Sequence, residues 1–422
     1  MRNLLLGAVG VMAASGFAPG LTMPSSPAEV SQQKESAERL GVVSSEFATD
    51  LLRALRADGQ KGNLFFSPSS IHAALAMARV GASEATRDEL SNVMGIHKVA
   101  GKPSVTDESF RSFAELLKTE ATIKPEWLPE NAQPLALTQA AALWASADSG
   151  MKPEASKTLE HVFTSPTEMM NFAKPKKVAE TINDWASVHT RKRITHVVDA
   201  GDIPPSGLIL TTAIYFKASW WKQFDRTHDM MFNGAGTPRQ VTTMMNERNY
   251  PYAKIKDGQV VWLPYVGQAE MMVVLPDEGK FEQVVTELNL NEIKKGHPGV
   301  PVIVTMPLFS LSSNLQLKSS LAKMGLSTAM DPSAADFTNF TDVKPTYIDK
   351  VIHVANCDVD EKGTEAAAVT AVIAVTGAPA QQEPPRPIRF TADRPFVFFI
   401  RHSSGVVLFG GVVQEPIAPT RK

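Results

Sequence analysis

The chain has 422 residues, of which 43% are hydrophobic and 20% are charged, and this composition is that of an ordinary globular protein. With 42 basic and 44 acidic residues the formal net charge is -2, which excludes a long-range attraction to nucleic acid or to an anionic membrane. The single cysteine, Cys357, excludes an intramolecular disulfide, and its apolar neighbours predict a packed, inert thiol.

The N-terminal segment has the pattern of a secretory signal. Arg2 precedes an uncharged apolar run over residues 4–14, and small residues around Gly16 follow it. A run of eleven residues is too short to span a bilayer, so no membrane span is expected. We predict a signal peptide over residues 1–18, a polar leader over 19–40, and secretion into the extracellular space or the periplasm. A buried N-terminal helix is the alternative interpretation.

Hydrophobic periodicity predicts a run of helices in the first hundred residues. The first takes Ser44 or Ser45 as its N-cap and stops at Gly59. The second covers "SPSSIHAALAMARVGAS", and the third covers "SEATRDELSNVMG", with Ser83 as its cap and Gly95 at its end.

The segments that follow are mainly predicted strands, because they are rich in β-branched and aromatic residues and are bounded by Gly, Pro or polar turns. They are "GLILTTAIYFKASW", "VVWLPYV", "EMMVVLP", "VPVIVTMPLFSL" and "RPFVFFIRHSSGVVLFGGVV". Residues 230–234 and 241–245 predict a hairpin, and "VAETINDWASVHTRKR" and "LQLKSSLAKMGL" predict helices between strands. Without a repeat or a linker past residue 40, we predict one large mixed domain over residues 41–417.

No local motif of catalysis or of cofactor binding is present. The nine histidines include no metal-ligand spacing; only His189 and His196 lie near one another on a predicted helix. Nucleophile-elbow, phosphate-loop and dinucleotide motifs are also missing from the sequence, so we predict neither an enzyme nor a cofactor. The basic runs at residues 174–177 and 191–193 lack interleaved aromatics and indicate a solvated helix face rather than a nucleic-acid site.

One stretch, "DEKGTEAAAVTAVIAVTGAPAQQEPPRP" over residues 360–387, has an unusual composition. Residues 366–377 are strand-forming but include no bulky aromatic side chain. The prolines that follow exclude a central strand and favour extended, exposed chain. An ordinary internal strand or a tolerated surface loop is the alternative.

Several blocks, in order, resemble the serpin family. They are "NLFFSPSSIHAALAMARVGASEATRDEL", "INDWASVHTRKRITHVVD", "LILTTAIYFKASWWKQFD" and "FTADRPFVFFI", and the resemblance covers roughly residues 41–416. It implies an α+β fold in which several helices surround three β-sheets. It also implies a metastable native state with an exposed reactive-centre loop at about residues 361–388.

In the inhibitory members of that family, the first part of the loop is a hinge. The resemblance assigns this hinge to eight residues: Glu361, Lys362, Gly363, Thr364, Glu365, Ala366, Ala367 and Ala368. It implies that a protease cleaves the loop and is acylated, that the loop inserts as a new strand into a large sheet, and that the protease is trapped covalently. Such a protein acts once, as a suicide substrate.

An inserting strand needs small side chains on its inward face, and that face takes every second residue. Counting from Thr364, the inward residues are Ala366, Ala368, Thr370, Val372 and Ala374. The outward residues are Glu365, Ala367, Val369, Ala371 and Ile373, and only the first is charged. Val369 stands where the family usually has Ala, at an outward position that suits a β-branched residue.

The family's spacing places the scissile bond between Gly377 and Ala378, with Val375 and Thr376 as neighbouring candidates. All four residues are small and suit a protease with a shallow primary pocket. We predict elastase-like or subtilisin-like serine proteases as targets, with chymotrypsin-like ones as further candidates and trypsin-like ones disfavoured. We also expect a monomer. A non-inhibitory binding or chaperone protein, or an inhibitor of cysteine proteases, is the alternative.

Two further sets of residues match the family's control regions. Ser67, Ser70 and His353 match the shutter, a hydrogen-bonded cluster beneath the sheet, and Trp220 matches the breach where the loop would enter. Thr212 stands where the family usually has Asn, so one shutter hydrogen bond is expected to be altered or lost.

Overall fold

Among the residues that the structure describes, helices dominate the first third of the chain and strands dominate the rest. The computed structural model describes residues 27–96, 105–122, 136–163, 167–296, 301–364 and 386–420. Its α-helices within these ranges are α1 (Pro27–Ala57), α2 (Pro68–Gly81), α3 (Glu84–Val93), α4 (Asp107–Thr122), α5 (Pro153–Phe163), α6 (Pro175–His189), α7 (Phe281–Glu287) and α8 (Lys318–Lys323).

The strands of the described residues follow in chain order. They are β1 (Leu64–Phe66), β2 (Ala136–Ser146), β3 (Thr167–Met170), β4 (Leu208–Ser219), β5 (Arg226–Phe232), β6 (Arg239–Arg248), β7 (Tyr252–Ile255), β8 (Gly258–Pro264), β9 (Ala269–Pro276), β10 (Val302–Pro307), β11 (Phe309–Gln316), β12 (Ile348–Val359), β13 (Gly363–Thr364), β14 (Ile388–Thr391), β15 (Phe396–His402) and β16 (Val407–Val413). The predicted hairpin is confirmed, because β5 and β6 pair antiparallel.

The described strands form three sheets, as the fold prediction required. The central sheet has the order β11-β12-β13-β4-β2-β3, the core sheet has the order β1-β16-β15-β9-β8-β7, and the small sheet has the order β14-β10-β6-β5. In the central sheet, β4 and β12 are parallel neighbours, although about 130 residues separate them in the chain. A parallel pair of this kind needs a long crossover connection, which here includes three of the four strands of the small sheet, β5, β6 and β10.

The central sheet is covered on both faces. On its inner face, β4 presents Leu210, Ile214 and Phe216 to the large core that it shares with α2 and the core sheet. On its outer face, Ile209 and Ala213 pack with residues of α6 in a second apolar cluster. Because side chains alternate along a strand, even-numbered residues of β4 face inward and odd-numbered residues face outward.

The first helix corrects the predicted start of the fold. It begins at Pro27, well before Ser44 or Ser45. Ala37 and Leu40 continue the buried stripe of the helix towards its N-terminus, so residues 27–40 are not a polar leader outside the fold. Residues 1–26 lie outside the described part of the chain, and the signal peptide stays a prediction. No helix among the described residues is long and apolar enough to cross a membrane.

The next two predicted helices are confirmed with their boundaries. The Ser67 side chain caps α2 by accepting a hydrogen bond from the Ser70 N–H, and α3 begins after Ser83. Ser83 makes no capping bond, since its hydroxyl lies 3.0 Å from that of Thr338. Gly95 follows α3 with a positive φ of 71°, a conformation that glycine adopts without strain.

Candidate functional site

Two strands of the central sheet separate at one end. β4 and β12 pair in parallel from Leu208 and Ile348 as far as Ile214 and Ala355. Beyond that point, which we call the upper gap, the two residues of β13 lie between them. Thr364 pairs antiparallel with Val359 of β12 and with Ala218 of β4. The start of the predicted hinge therefore already lies in the sheet.

A tight turn sends the chain from the end of β12 back into the upper gap. The Asp360 carboxylate accepts hydrogen bonds from the backbone N–H groups of Lys362 (2.8 Å) and Gly363 (3.1 Å). The Asp360 N–H donates to the Gly363 carbonyl at 2.9 Å. Burial raises the pKa of this carboxyl group. Gly363 is required by space, because a Cβ atom there would lie 2.1 Å from the Ala218 carbonyl oxygen.

Trp220, the predicted breach residue, holds this turn against the end of β4. Its indole Nε1–H donates to the Asp360 carbonyl at 2.9 Å, and its backbone N–H donates to the Lys362 carbonyl at 2.9 Å. The Phe224 N–H donates to the Glu361 carbonyl at 2.8 Å. Three carbonyls of the turn are thereby fixed, so Trp220 joins the hinge to the sheet.

Thr364 is fully buried, and its hydroxyl has a specific partner. Its Oγ1 lies 2.8 Å from the phenol oxygen of Tyr265, which stacks on Trp220 with ring centroids 4.3 Å apart. Burial raises the pKa of the Tyr265 phenol well above its usual value, so this group is a neutral hydrogen-bonding partner. Sequence reasoning missed Tyr265, which it assigned only to a strand. The only available signal was a hydroxyl-bearing aromatic placed after Pro264 at the end of that strand.

His353 connects three elements beneath the central sheet. Its Nε2 accepts a hydrogen bond from the Ser67 N–H at 3.0 Å, which assigns the ring proton to Nδ1. Nδ1–H then donates to the Thr212 hydroxyl at 2.7 Å. The ring is completely buried, and burial lowers its pKa to about 3, so it stays neutral.

The hydrogen bond between His353 and Thr212 joins β12 directly to β4. Thr212 of β4 and His353 of β12 are directly opposite in the register. Threonine therefore preserves a direct bond at the position where the resembled family usually has Asn. The predicted loss of a hydrogen bond does not occur; the altered partner is a hydroxyl instead of an amide.

The serines of the predicted shutter lie directly below this bond, at the N-terminus of α2. The Ser67 hydroxyl donates to the Leu408 carbonyl of the core sheet at 2.7 Å and lies 2.9 Å from the Ser70 hydroxyl. Both serines are fully buried. The structure thus brings Ser67, Ser70 and His353 together, joining α2, the core sheet and the central sheet.

The remaining predicted residues lie outside the described part of the chain. They are Glu365, Ala366, Ala367 and Ala368 of the hinge and Val375, Thr376, Gly377 and Ala378 around the predicted scissile bond. Cys357 is buried in β12, in agreement with a packed thiol. Among the described residues there is no group of three or more metal-ligating side chains.

Replacing Thr212 with valine should weaken the native state. The variant removes the acceptor of a fully buried imidazole N–H, and an unsatisfied buried donor costs about 2 kcal/mol of unfolding free energy. Denaturant unfolding of the purified variant measures this loss. Thr212→Asn restores an acceptor and should lose much less. Equal losses in both variants would show that the hydrogen bond is not the stabilising contact.

Comparisons with known proteins agree on one family. A sequence model described as "Serpin (serine protease inhibitor)" matches residues 43–416. An uncharacterized serpin-like protein of Thermococcus kodakarensis is 31% identical over 94% of this chain and 90% of its own length. The leukocyte elastase inhibitor of Xenopus tropicalis is 30% identical over 90% of this chain and 100% of its own length. The solved structure of human thyroxine-binding globulin with thyroxine has a TM-score of 0.74 at 25% identity, covering 90% of this chain and 99% of that one.

Proposed function

The chain belongs to the serpin family, and we propose that it is a secreted inhibitor that traps serine proteases covalently as a suicide substrate. In this mechanism the protease cleaves the loop after residue 364, forms an acyl-enzyme, and is displaced as the loop inserts into the central sheet. The protein supplies the bait and the free energy of insertion, and the bond chemistry is that of the protease.

The pairing of Thr364 carries this proposal. Thr364 lies antiparallel between two parallel strands, opposite Val359 of β12 and Ala218 of β4, so a strand that continued from it would pair with both. Continuing the same register would place Ala366 between Cys357 and Phe216, and Ala368 between Ala355 and Ile214. Each of these inward positions adjoins the large core, where only a small side chain fits without rearrangement.

The shutter supports insertion further along the same register. Thr370 would lie directly between His353 and Thr212, where the present hydrogen bond joins β12 to β4. Separating these strands by one strand width breaks that bond and leaves the buried Nδ1–H without an acceptor. The hydroxyl of Thr370 would replace the hydroxyl of Thr212. Thr370, the one polar side chain among the inward residues after Thr364, would thus lie where a polar partner is needed.

Insertion also has enough driving force to hold a trapped protease. Each new backbone hydrogen bond contributes on the order of 1 kcal/mol, so about a dozen inserted residues release roughly 10 kcal/mol or more with burial. This is comparable to the stability of a whole domain.

The small residues at the predicted cut favour elastase-like and subtilisin-like proteases, with chymotrypsin-like ones next. We propose cleavage between Gly377 and Ala378, with Val375 and Thr376 as neighbouring positions. The similarity to a protein named leukocyte elastase inhibitor supports a protease of this kind as target. The pattern over residues 4–16 supports export, so we place the protein outside the cell or in the periplasm.

A binding function without inhibition is the second candidate, because thyroxine-binding globulin, a structural match, is solved with bound thyroxine. One experiment separates the two functions. The purified protein is mixed with elastase-like, subtilisin-like, chymotrypsin-like, trypsin-like and papain-like proteases, and the products are separated on denaturing gels. We expect an SDS-resistant complex with the first two and cleavage without a complex for trypsin-like enzymes. Cleavage without any complex across the whole panel would contradict inhibition.

A further inference from the structure

The outer face of the central sheet carries opposite charges on the two sides of the upper gap. Asp358 of β12 and Lys217 of β4 each neighbour an inward core residue, Val359 and Phe216, so their side chains point outward. Lys217 is half-buried, and within the described part of the chain its ammonium group makes neither an ion pair nor a hydrogen bond. The next residue to enter the gap would meet both side chains.

Asp358 is neutralised by a residue from the segment after α6. The Arg193 guanidinium lies 2.5 Å from Asp358 Oδ2, and the Ser310 hydroxyl donates to Oδ1 at 2.6 Å. The side chains of Asp358 and Arg193 are only 15% and 34% exposed, so water screens this pair less than a surface pair. Arg193 belongs to a basic run that the sequence assigned to a solvated helix face. Its position over β12 gives it a partner instead.

The register identifies the residue that would come between these charges. Thr364 is opposite Val359 and Ala218, so residue 365 of the same strand would be opposite Asp358 and Lys217. Its side chain would point outward, because Thr364 points inward. We propose that Lys217, together with Asp358 neutralised by Arg193, forms a charge-selective position for Glu365 that decides whether the loop begins to insert. This inference rests on the proposed insertion mechanism.

The contribution of each charge follows from cross-strand geometry. Side chains directly opposite in neighbouring strands have Cβ atoms about 5 Å apart, where unlike charges stabilise pairing and like charges oppose it. Lys217 attracts Glu365, and Asp358 without Arg193 would repel it. Arg193 is therefore a positioning residue: it allows an acidic side chain to enter next to an aspartate.

The test is an exchange of charges across the gap. Lys217→Glu and Glu365→Lys are made singly and together, and each protein is mixed with the protease that forms the SDS-resistant complex. Each single variant should raise the number of inhibitor molecules consumed per protease trapped by about fivefold, and the double variant should recover most of the loss. Lys254→Glu, the same charge change on β7, is the control and should have no effect.

A second set of variants tests the role of Arg193. Arg193→Gln should impair trapping when residue 365 is Glu and should have little effect in a Glu365→Gln background, where there is no like-charge repulsion to relieve. The inference would be overturned if the double variant Lys217→Glu/Glu365→Lys trapped protease no better than either single variant. It would also be overturned if Arg193→Gln impaired trapping equally with Glu and with Gln at position 365.

A second measurement separates this inference from the proposed function. The loop of each variant is cut with any protease that cleaves within residues 365–385, and thermal unfolding is compared before and after cleavage. If the cut wild-type protein gains no thermal stability, insertion itself is wrong and both proposals fail. If the wild type gains stability and traps protease while the charge variants behave like it, only the charge-selective position is wrong.

Discussion

Replacing Thr364 with arginine should change the proposed inhibitor into a substrate. The Thr364 side chain is fully buried between β12 and β4, with its hydroxyl on Tyr265. A guanidinium group at that position would be a charge without a partner beneath the sheet, which is far more unfavourable than any contact it replaces. The strand should then fail to insert before the acyl-enzyme is hydrolysed. We expect the yield of SDS-resistant complex to fall by more than about tenfold while loop cleavage continues.

Two variants control for the substitution itself. Thr364→Ser keeps the hydroxyl and the small volume, and Lys362→Arg places an arginine two residues earlier, at a partly exposed position of the turn. Both should still form complex. Normal trapping by Thr364→Arg would show that Thr364 does not lead an inserting strand.

Acidification from pH 8 to about pH 5 should remove roughly 4 kcal/mol of unfolding free energy through two buried histidines. Burial lowers the pKa of His353 to about 3 and that of His72 to about 4, from an ordinary value of 6.5. Both folded-state pKa values lie below the unfolded value, so the unfolded chain binds protons that the folded protein cannot accept. The stabilisation is complete above pH 6.5 and is lost as the pH falls towards 4 and 3.

The environment of His72 explains why it stays neutral and suggests the variant that tests the prediction. Its ring stacks on Phe47 with centroids 4.6 Å apart and meets the edge of Phe110, while Nε2 lies 2.9 Å from the Met94 carbonyl oxygen. His72→Phe keeps the stacking and removes the titrating group. Urea unfolding at several pH values measures the free energy of unfolding. For this variant the loss of that free energy between pH 8 and pH 5 should be about half the wild-type loss.

An exposed histidine provides the comparison for the pH experiment. His228→Gln on β5 removes a histidine that is exposed to solvent. The free energy of unfolding of this variant should depend on pH as it does in the wild type. A His72→Phe protein with the full wild-type dependence would contradict the assignment to buried histidines.

Much of the local structure was predictable because it depends on residues close together in the chain. Ser67 and Gly95 mark helix ends by capping and by a positive φ, which involve neighbours within a few residues. Ordered motifs across the chain gave the fold class and the positions of Trp220 and His353. The start of α1 was wrong because its N-terminal half is stabilised by tertiary burial of a few apolar residues in an otherwise polar segment.

The partners within the site could not be predicted in the same way. Tyr265 contacts Thr364 across 99 residues, and Thr212 contacts His353 across 141. Neither pair has a local signal. The first depends on how the end of β8 in the core sheet packs against the central sheet, and the second depends on which strands are neighbours in the mixed central sheet. The Arg193 and Asp358 pair has the same origin, because it joins the segment after α6 to β12.

The sequence alone determined that every second residue from 364 to 374 is small or β-branched and uncharged, which is the pattern that an inserting strand would need on its inward face. It also determined the family, through motifs in a fixed order. Only the tertiary structure decided where such a strand begins, since β4 and β12 separate at Ile214 and Ala355 and admit Thr364 between them. The physical reason is that strand pairing is a contact between distant segments, and its register exists only after the sheet has formed.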